Sequence, residues 1–358
     1  MSRKSVLWLA LLCSLVIALG GLTACRSKDP VVVIPPTPEI VEPPAEPVFW
    51  PLTGVEAEDD EVILGRTLSV KIDNHPQSGS KVGINSADVV FETLAEGGIT
   101  RFNAIYHSEV PEIVMPVRSA RDSDIYIVPQ FGDALFFFSG GNRNVLRKLQ
   151  DADIDTLENA LARAALYRRY PGRAAPHNLI VDLAKAYDVA VEKGLEPKTT
   201  EPITGFVFQE EDFNFADIGE AATQAHIPFS PFSDTRWDWD ADSDLWLRTV
   251  SGQAQYDGST EEQISANNVI VMWATHSAGS TAGNVVTYNI DLASGGDVTI
   301  FMEGRRIDGI WEGSLDAPQT FKDSDGNPIL LSPGRTWINV MPVGDIISSS
   351  YDGANDSE

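Results

Sequence analysis

An apolar run from Val6 to Leu22, preceded by Arg3 and Lys4, ends at Leu22-Thr23-Ala24-Cys25. A basic start, a short apolar stretch and small residues before a cut site make a secretory signal. A cysteine directly after Leu-Thr-Ala makes it a bacterial lipoprotein signal. Residues 1–24 are then removed, and Cys25 is diacylated as the new N-terminus. An uncut membrane anchor is the competing reading, but the run sits at the lower edge of spanning length. The consequence for folding is severe. Cys13 leaves with the signal and Cys25 carries lipid, and the chain has no other cysteine. Disulfides are excluded in a compartment that would permit them, as are thiolate metal sites and cysteine nucleophiles. Stability must come from buried area, and about 310 residues after the spacer suffice for two ordinary cores.

The chain carries 26 basic and 52 acidic side chains. Such a chain is repelled by anionic headgroups and by nucleic acid, so no nucleic-acid partner is expected. The bilayer is met through the acyl chains on Cys25 and not through surface basicity. The charge is uneven: residues 101–177 hold nine Arg and Lys148 against nine Asp and Glu. A locally basic zone in an acidic protein suits an anionic ligand, or its arginines simply pair with surrounding carboxylates.

From Pro30 to Pro51 lie eight of the 22 prolines, which read as an extended, semi-rigid spacer over residues 25–50. At roughly 3 Å per residue, about twenty residues would hold the folded part up to about 60 Å from the bilayer. Residues 51–200 then mix strands (Thr67–Asp73, Asp88–Thr93, Thr100–His107, Ala134–Ser139) with helices (Ala120–Phe131, Asn144–Leu149, Thr156–Tyr170, Leu179–Lys193). This predicts an α/β or α+β N-terminal domain. After about Gly205 apolar-alternating stretches recur between Gly, Asn and Asp turns, from Trp237–Trp239 to Thr336–Met341. They predict a smaller β-rich C-terminal domain over 205–345, able to fold alone. Residues 346–358 read as an acidic tail.

Several motifs carry less than they promise. Asp238 to Asp244 places carboxylates at calcium-loop spacing, but Ser243 and Thr249 stand where Gly and a bidentate Glu belong. An acidic hairpin turn fits better, and no metal site is expected. Ser78-Gly79-Ser80-Lys81 spells the Ser-x-x-Lys of acyl-serine enzymes without its partner motifs. Gly279-Ser280-Thr281-Ala282-Gly283 mimics a nucleophile elbow but lies between strands. No phosphate-cradling loop ending in Lys-Ser or Lys-Thr is present, and no cofactor is expected.

A polar constellation remains in the first domain. Arg101 follows Glu96-Gly97-Gly98, Arg118, Ser119 and Arg121 open a predicted helix, and Ser139 and Gly140 end a strand. Arg169, Arg173, His177 and Asn178 gather before another element. Such junctions commonly display binding groups. Exposed helix-start donors and guanidinium forks both favour phosphate or carboxylate. For any single arginine, a structural salt bridge is an equal expectation.

At these blocks the chain resembles the YerB-like family of bacterial lipoproteins, from about Pro51 to Pro342. The resemblance is carried by Pro51-Leu52-Thr53-Gly54, Val70-Lys71-Ile72-Asp73-Asn74, Glu96–Arg101, Pro116–Arg121, Ser139-Gly140-Gly141 and Pro176-His177-Asn178. Gly309-Ile310-Trp311 and Pro333-Gly334-Arg335-Thr336-Trp337 continue it. It implies a domain of unknown function followed by a smaller C-terminal domain, and no established reaction. Family members commonly carry an Arg-Pro pair after the Asp-Asn. Here the loop reads His75 to Lys81, so either Lys81 supplies that charge or the contact is missing.

The expected protein is thus a lipid-anchored binding protein on the extracytoplasmic face of the envelope, with an arginine cleft for an anionic ligand. Two alternatives stay open. One is an enzyme acting on a phosphorylated or wall-derived substrate, with His177 or Glu96 as acid–base. The other is a scaffold without a ligand.

Overall fold

Leu68-Ser69-Val70-Lys71-Ile72-Asp73 alternates apolar and polar side chains, as a strand with one greasy face should. In a computed structural model of the protein this segment is strand β1 (Leu68–Asp73), and all six residues are buried. The structure describes residues 46–351, apart from Asn159, Glu211, Gly283 and Asn284. The lipoprotein signal, Cys25 and most of the proline-rich spacer lie outside the described residues. Leu68, Val70 and Ile72 enter the main core. Ser69, Lys71 and Asp73 face the other way, equally buried, so each needs a partner. Ser69 donates to Asn103 Oδ1 at 2.7 Å and Lys71 pairs with Asp124 at 2.6 Å. Burial pulls the Lys71 amine below its usual range, against the opposing pull of Asp124.

The first half adds β2 (Val89–Leu94), β3 (Thr100–Tyr106) and β4 (Leu135–Phe137). The second adds β5 (Gln224–Ser230), β6 (Ser233–Asp240), β7 (Leu245–Val250), β8 (Asn268–Ala274), β9 (Gly296–Met302), β10 (Arg305–Glu312) and β11 (Thr336–Pro342). One ten-stranded sheet runs from Thr320–Lys322 through β10, β9, β8, β11, β2, β3 and β1 to β4. Strand β11 is its keystone. It pairs in parallel with β8 on one side and with β2 on the other. Alternation divides the sheet's residues between two cores: Val269, Val271 and Trp337 on one face, Ile270, Met272 and Ile338 on the other. A second sheet, built on β5, β6 and β7, packs Ile227, Trp237 and Trp246 into the first of these cores.

The architecture is mostly strand with few helices, and its C-terminal half is β-rich. Its two sequence domains nevertheless share one sheet, so the described residues form one compact unit. Four local expectations are corrected. Leu179–Lys193 is not one helix: Leu179–Asp182 is a strand, and the helix runs only over Ala186–Glu192. Thr156–Tyr170 likewise divides into a helix at Ala160–Leu166 and a strand at Tyr167–Arg169. Ala120–Phe131 contains one α-turn, Asp124–Ile127, followed by a 3-10 turn over Val128–Phe131. Finally, Ser348–Ser350 is not tail but an edge strand on β5, with Ser348 opposite His226.

Candidate functional site

Antiparallel pairing of β1 with β3 sets Asp73 directly opposite Arg101. The segment after Met115 runs alongside, with Asp73 N–H donating to Pro116 O and Arg118 N–H to Lys71 O. The result is a fully buried carboxylate gripped from three sides. Arg101 lies 3.2 Å from Asp73 Oδ1, and Arg118 Nε and His177 Nδ1 lie 3.4 and 2.5 Å from Oδ2. His75 N–H donates to Asp73 Oδ1 at 3.1 Å. Burial alone would raise the Asp73 carboxyl, but Arg101, the His177 and His75 hydrogen bonds and Arg118 hold it below the usual carboxylate range. Burial also draws Arg101 down to about 10, with Asp73 opposing and Arg121 and Arg118 adding to the fall.

Three predicted residues, Arg101, Arg118 and His177, therefore converge on one carboxylate that the constellation did not include. Arg121 stands beside them, paired with Glu96 at 2.5 Å and donating to the Ser119 and Ala120 carbonyls. Burial would raise the Glu96 carboxyl, but Arg121 keeps it below its ordinary range. Ser119 and Arg121 line a hollow of about 260 Å³. The remaining members have internal duties. Ser119 Oγ donates to Ser139 O, and Gly140 O accepts from Ala120 N–H, so these residues stitch two crossing segments. Arg169 donates to Asn178 Oδ1 at 2.6 Å, and Asn178 Nδ2 in turn to the Arg173 carbonyl at 2.9 Å.

Arg173 is different. It crosses to the loop after β1, donating to Ser78 O at 2.7 Å, Ser80 O at 2.9 Å and Ser80 Oγ at 3.0 Å. That loop begins at His75, whose ring stacks on His177 with centroids 4.9 Å apart. It ends at buried Lys81, whose Nζ donates to Ser78 Oγ and Gly79 O, each at 2.8 Å. Gly79 is required twice over. Its φ is +69°, and a Cβ there would lie 3.0 Å from the Arg173 guanidinium carbon. Ser78 and Lys81 do make the contact that Ser-x-x-Lys promises. Ser78 is fully buried, however, so the pair fixes the loop and presents no nucleophile.

Beside this loop opens a cleft of about 470 Å³. Asn74, His75 and Lys81 line it from the first half, and Phe232, Gln253, Gln255 and Tyr256 from the second. Burial, together with Arg248 and Arg173, pushes the Lys81 amine down to about 7 against the pull of Asp73 and Glu92. Below the floor lies a fully buried pair joining the halves. Arg248 Nη2 on β7 donates to Glu92 Oε2 on β2 at 2.8 Å. Glu92 also accepts from Thr100 Oγ1 at 2.7 Å, and Asn74 Nδ2 donates to that same hydroxyl oxygen at 2.7 Å. Arg248 Nη1 bonds Gln255 Oε1. Asp73, Arg248 and the whole second-half wall escaped the sequence-based constellation, while Lys81 entered only as a candidate stand-in for the family's arginine. Only Asp73-Asn74-His75 at the end of an alternating strand offered a local signal.

Among the described residues no cluster of His, Cys, Asp and Glu is arranged to hold a metal ion. No helix among them is long and apolar enough to cross a membrane.

Comparison with known proteins agrees with this two-part organisation. The family described as "Protein of unknown function (DUF3048) N-terminal domain" matches residues 52–196, and its C-terminal counterpart matches 225–338. The chain is 29% identical over 339 residues to YerB of Bacillus subtilis (strain 168), whose name marks it as a lipoprotein candidate. The match covers 94% of this chain and 96% of YerB. The crystal structure of B. subtilis YerB superposes with a TM-score of 0.75 at 28% identity, over 85% of this chain and 100% of that one. The chain accordingly belongs to the DUF3048 family, the YerB-like proteins of N- and C-terminal domains.

Proposed function

We propose that the protein is a lipoprotein held at the extracytoplasmic face of the envelope by diacylated Cys25, and that it binds an anionic envelope ligand in the cleft beside Lys81. One observation carries the reading: cations outnumber carboxylates around the cleft floor of a strongly acidic protein. Arg101 and Arg118 share Asp73, Arg248 takes Glu92, and Lys81 and Arg173 have no carboxylate within ion-pair distance among the described residues. Both instead bond carbonyls and hydroxyls, which orient but do not neutralise them. An incoming phosphate or carboxylate would supply the missing charge and make charge-assisted hydrogen bonds. A catalytic role has less support, because the hydroxyl nearest a basic amine is the buried Ser78.

The test is thermal denaturation of the chain from Glu46 onward in chloride, with and without inorganic phosphate at equal ionic strength. Phosphate at a hundred times its Kd should add about 2.7 kcal/mol of stability. The Arg173→Ala and Lys81→Met variants should fold and lose most of that gain. Equal stabilisation of both variants and wild type would refute the site.

A further inference from the structure

The cleft has two chemically unlike walls, and the second one says what else a ligand must be. The first wall presents the Lys81 amine, and Arg173 backs it through its bonds to Ser78 and Ser80 from the adjoining hollow. The other comes from the β7 hairpin and the turn after β5. It carries no charged side chain among the cleft-lining residues, only Phe232, Val250, Ser251, Gln253, Gln255, Tyr256 and their neighbours. Phe232 is 59% and Tyr256 50% exposed, and both border the cleft. Exposed rings at the lip of a concavity offer an apolar face to a partner, and Tyr adds a polar tip.

The amides are equally suggestive. A side-chain amide both donates and accepts, which matches a hydroxyl, itself donor and acceptor. Asn74 spends its nitrogen on Thr100 and Glu92, so its carbonyl oxygen is the group left to accept. Gln255 spends its oxygen on Arg248, so its nitrogen is left to donate. Gln253 and Ser251 are exposed beside them. Each of the two interior hydrogen bonds fixes an amide in one orientation before any ligand arrives, which lowers the cost of ordering on binding.

We infer that the ligand is an acidic saccharide: a sugar ring whose hydroxyls meet Asn74, Gln253 and Gln255, whose C–H face lies on Tyr256 or Phe232, and whose phosphate or carboxylate meets Lys81 on the side backed by Arg173. This rests on the anion-binding reading and goes beyond it in assigning the second wall. A small inorganic anion would use the first wall alone. A volume of about 470 Å³ accommodates one or two sugar rings and falls in the ordinary range for small-molecule sites.

The test is calorimetric titration of the chain from Glu46 onward with glucose 1-phosphate, glucuronate, glucose, adenosine monophosphate and inorganic phosphate. Both acidic sugars should bind about tenfold tighter than inorganic phosphate, and glucose should bind too weakly to measure. Tyr256→Ala and Gln253→Ala, both at exposed positions, should erase the sugar advantage and leave phosphate binding unchanged. Lys81→Met should weaken every anion. A tighter glucuronate than glucose 1-phosphate would identify the acid as a carboxylate, and the reverse as a phosphate. Either order supports the inference. Acidic sugars binding no tighter than phosphate would overturn the saccharide assignment and leave the anion site standing. Adenosine monophosphate binding tighter than glucose 1-phosphate would overturn it in favour of a nucleotide. No binding by phosphate or either acidic sugar would overturn both readings.

Discussion

Replacing Glu92 with Gln keeps the shape of the side chain and removes one charge from a place where no water can compensate. Arg248 and Glu92 are both fully buried, one on β7 and the other on β2. Removing one partner of such a pair leaves an uncompensated buried charge and costs about 3–5 kcal/mol. The aromatic surroundings do not make up the loss. The Arg248 guanidinium carbon lies 5.0 Å from the Trp337 ring centroid, 5.3 Å from Phe102 and 5.9 Å from Trp237. Desolvated cation–π contacts of this kind are worth up to about 2 kcal/mol, but they exist in wild type too and so do not replace the ion pair. We expect Glu92→Gln to lose about 3 kcal/mol. At an unfolding entropy of about 2.1 cal/mol/K per residue over roughly 300 residues, that lowers Tm by about 5 °C. Trp337 and Trp237, packed against each other at 5.2 Å, report the event by fluorescence in a urea titration. Wild type and variant should both unfold in one transition, because the pair and the sheet join the two halves. The double variant Glu92→Leu/Arg248→Met removes both charges and should regain at least half of the loss, since apolar replacement of a whole buried pair is often neutral. A loss below about 1 kcal/mol in the single variant, or a double variant no better than the single, would refute the reasoning.

Asp88 and His107 should oppose each other in the acid limb of stability. Burial raises the Asp88 carboxyl to about 6, so its contribution is full below the unfolded value and is lost as pH rises through 6. Burial lowers the His107 ring to about 4, so its contribution is present above the unfolded value and is lost as pH falls through 4. Wild-type stability should be nearly flat from pH 4 to 6.5 as far as these two groups decide it. Asp88→Asn should make it rise with pH and His107→Gln make it fall, each by about 3 kcal/mol in urea titrations. The Lys81 amine, pushed to about 7, should take up a proton when an anion binds near pH 8, read from the dependence of calorimetric heat on buffer ionisation. The fragment from 205 to 345 should show no cooperative melt by circular dichroism, because β11 loses its β2 ladder. Cys25→Ser should leave the protein soluble or retained as precursor in membrane fractionation. A fully processed, still membrane-bound variant would contradict lipid anchoring.

How much of this was readable in the sequence follows from range. Strands β1, β2 and β3 announce themselves by local alternation. The Leu179–Lys193 segment misleads because Leu179, Leu183, Ala186 and Ala190 fall at helical spacing, while Leu179-Ile180-Val181 is also a short apolar run that suits a strand. Periodicity alone does not separate these. The arginines were visible as a local excess of charge. Asp73, Asp88 and Glu92 were all candidate counter-ions, and the choice among them was not legible, since Asp73 meets Arg101 only through the register of β1 on β3. Arg248 was invisible as a site-linked group because Glu92 lies 156 residues away in sequence. Lys81 stood out only as a substitute for the family's arginine, and its burial comes from the fold alone.

The same long-range pairing explains why a cleft between two sequence domains can hold its geometry. A ligand site between independently folded modules pays an ordering cost whenever its walls move apart. Here the walls are tied below by the Glu92–Arg248 pair and by continuous β-ladder from β2 through β11 to β8. Ser230 Oγ also bonds the Gly98 carbonyl, joining the end of β5 to the segment before β3. Each tie uses a residue from either half, so neither half alone can form the cleft. The concentration of cations behind the first-half wall is tolerable because Asp73 and Glu92 offset part of it from beneath. What they leave uncompensated lies at Lys81, which lines the cleft, and at Arg173, which backs it from the adjoining hollow.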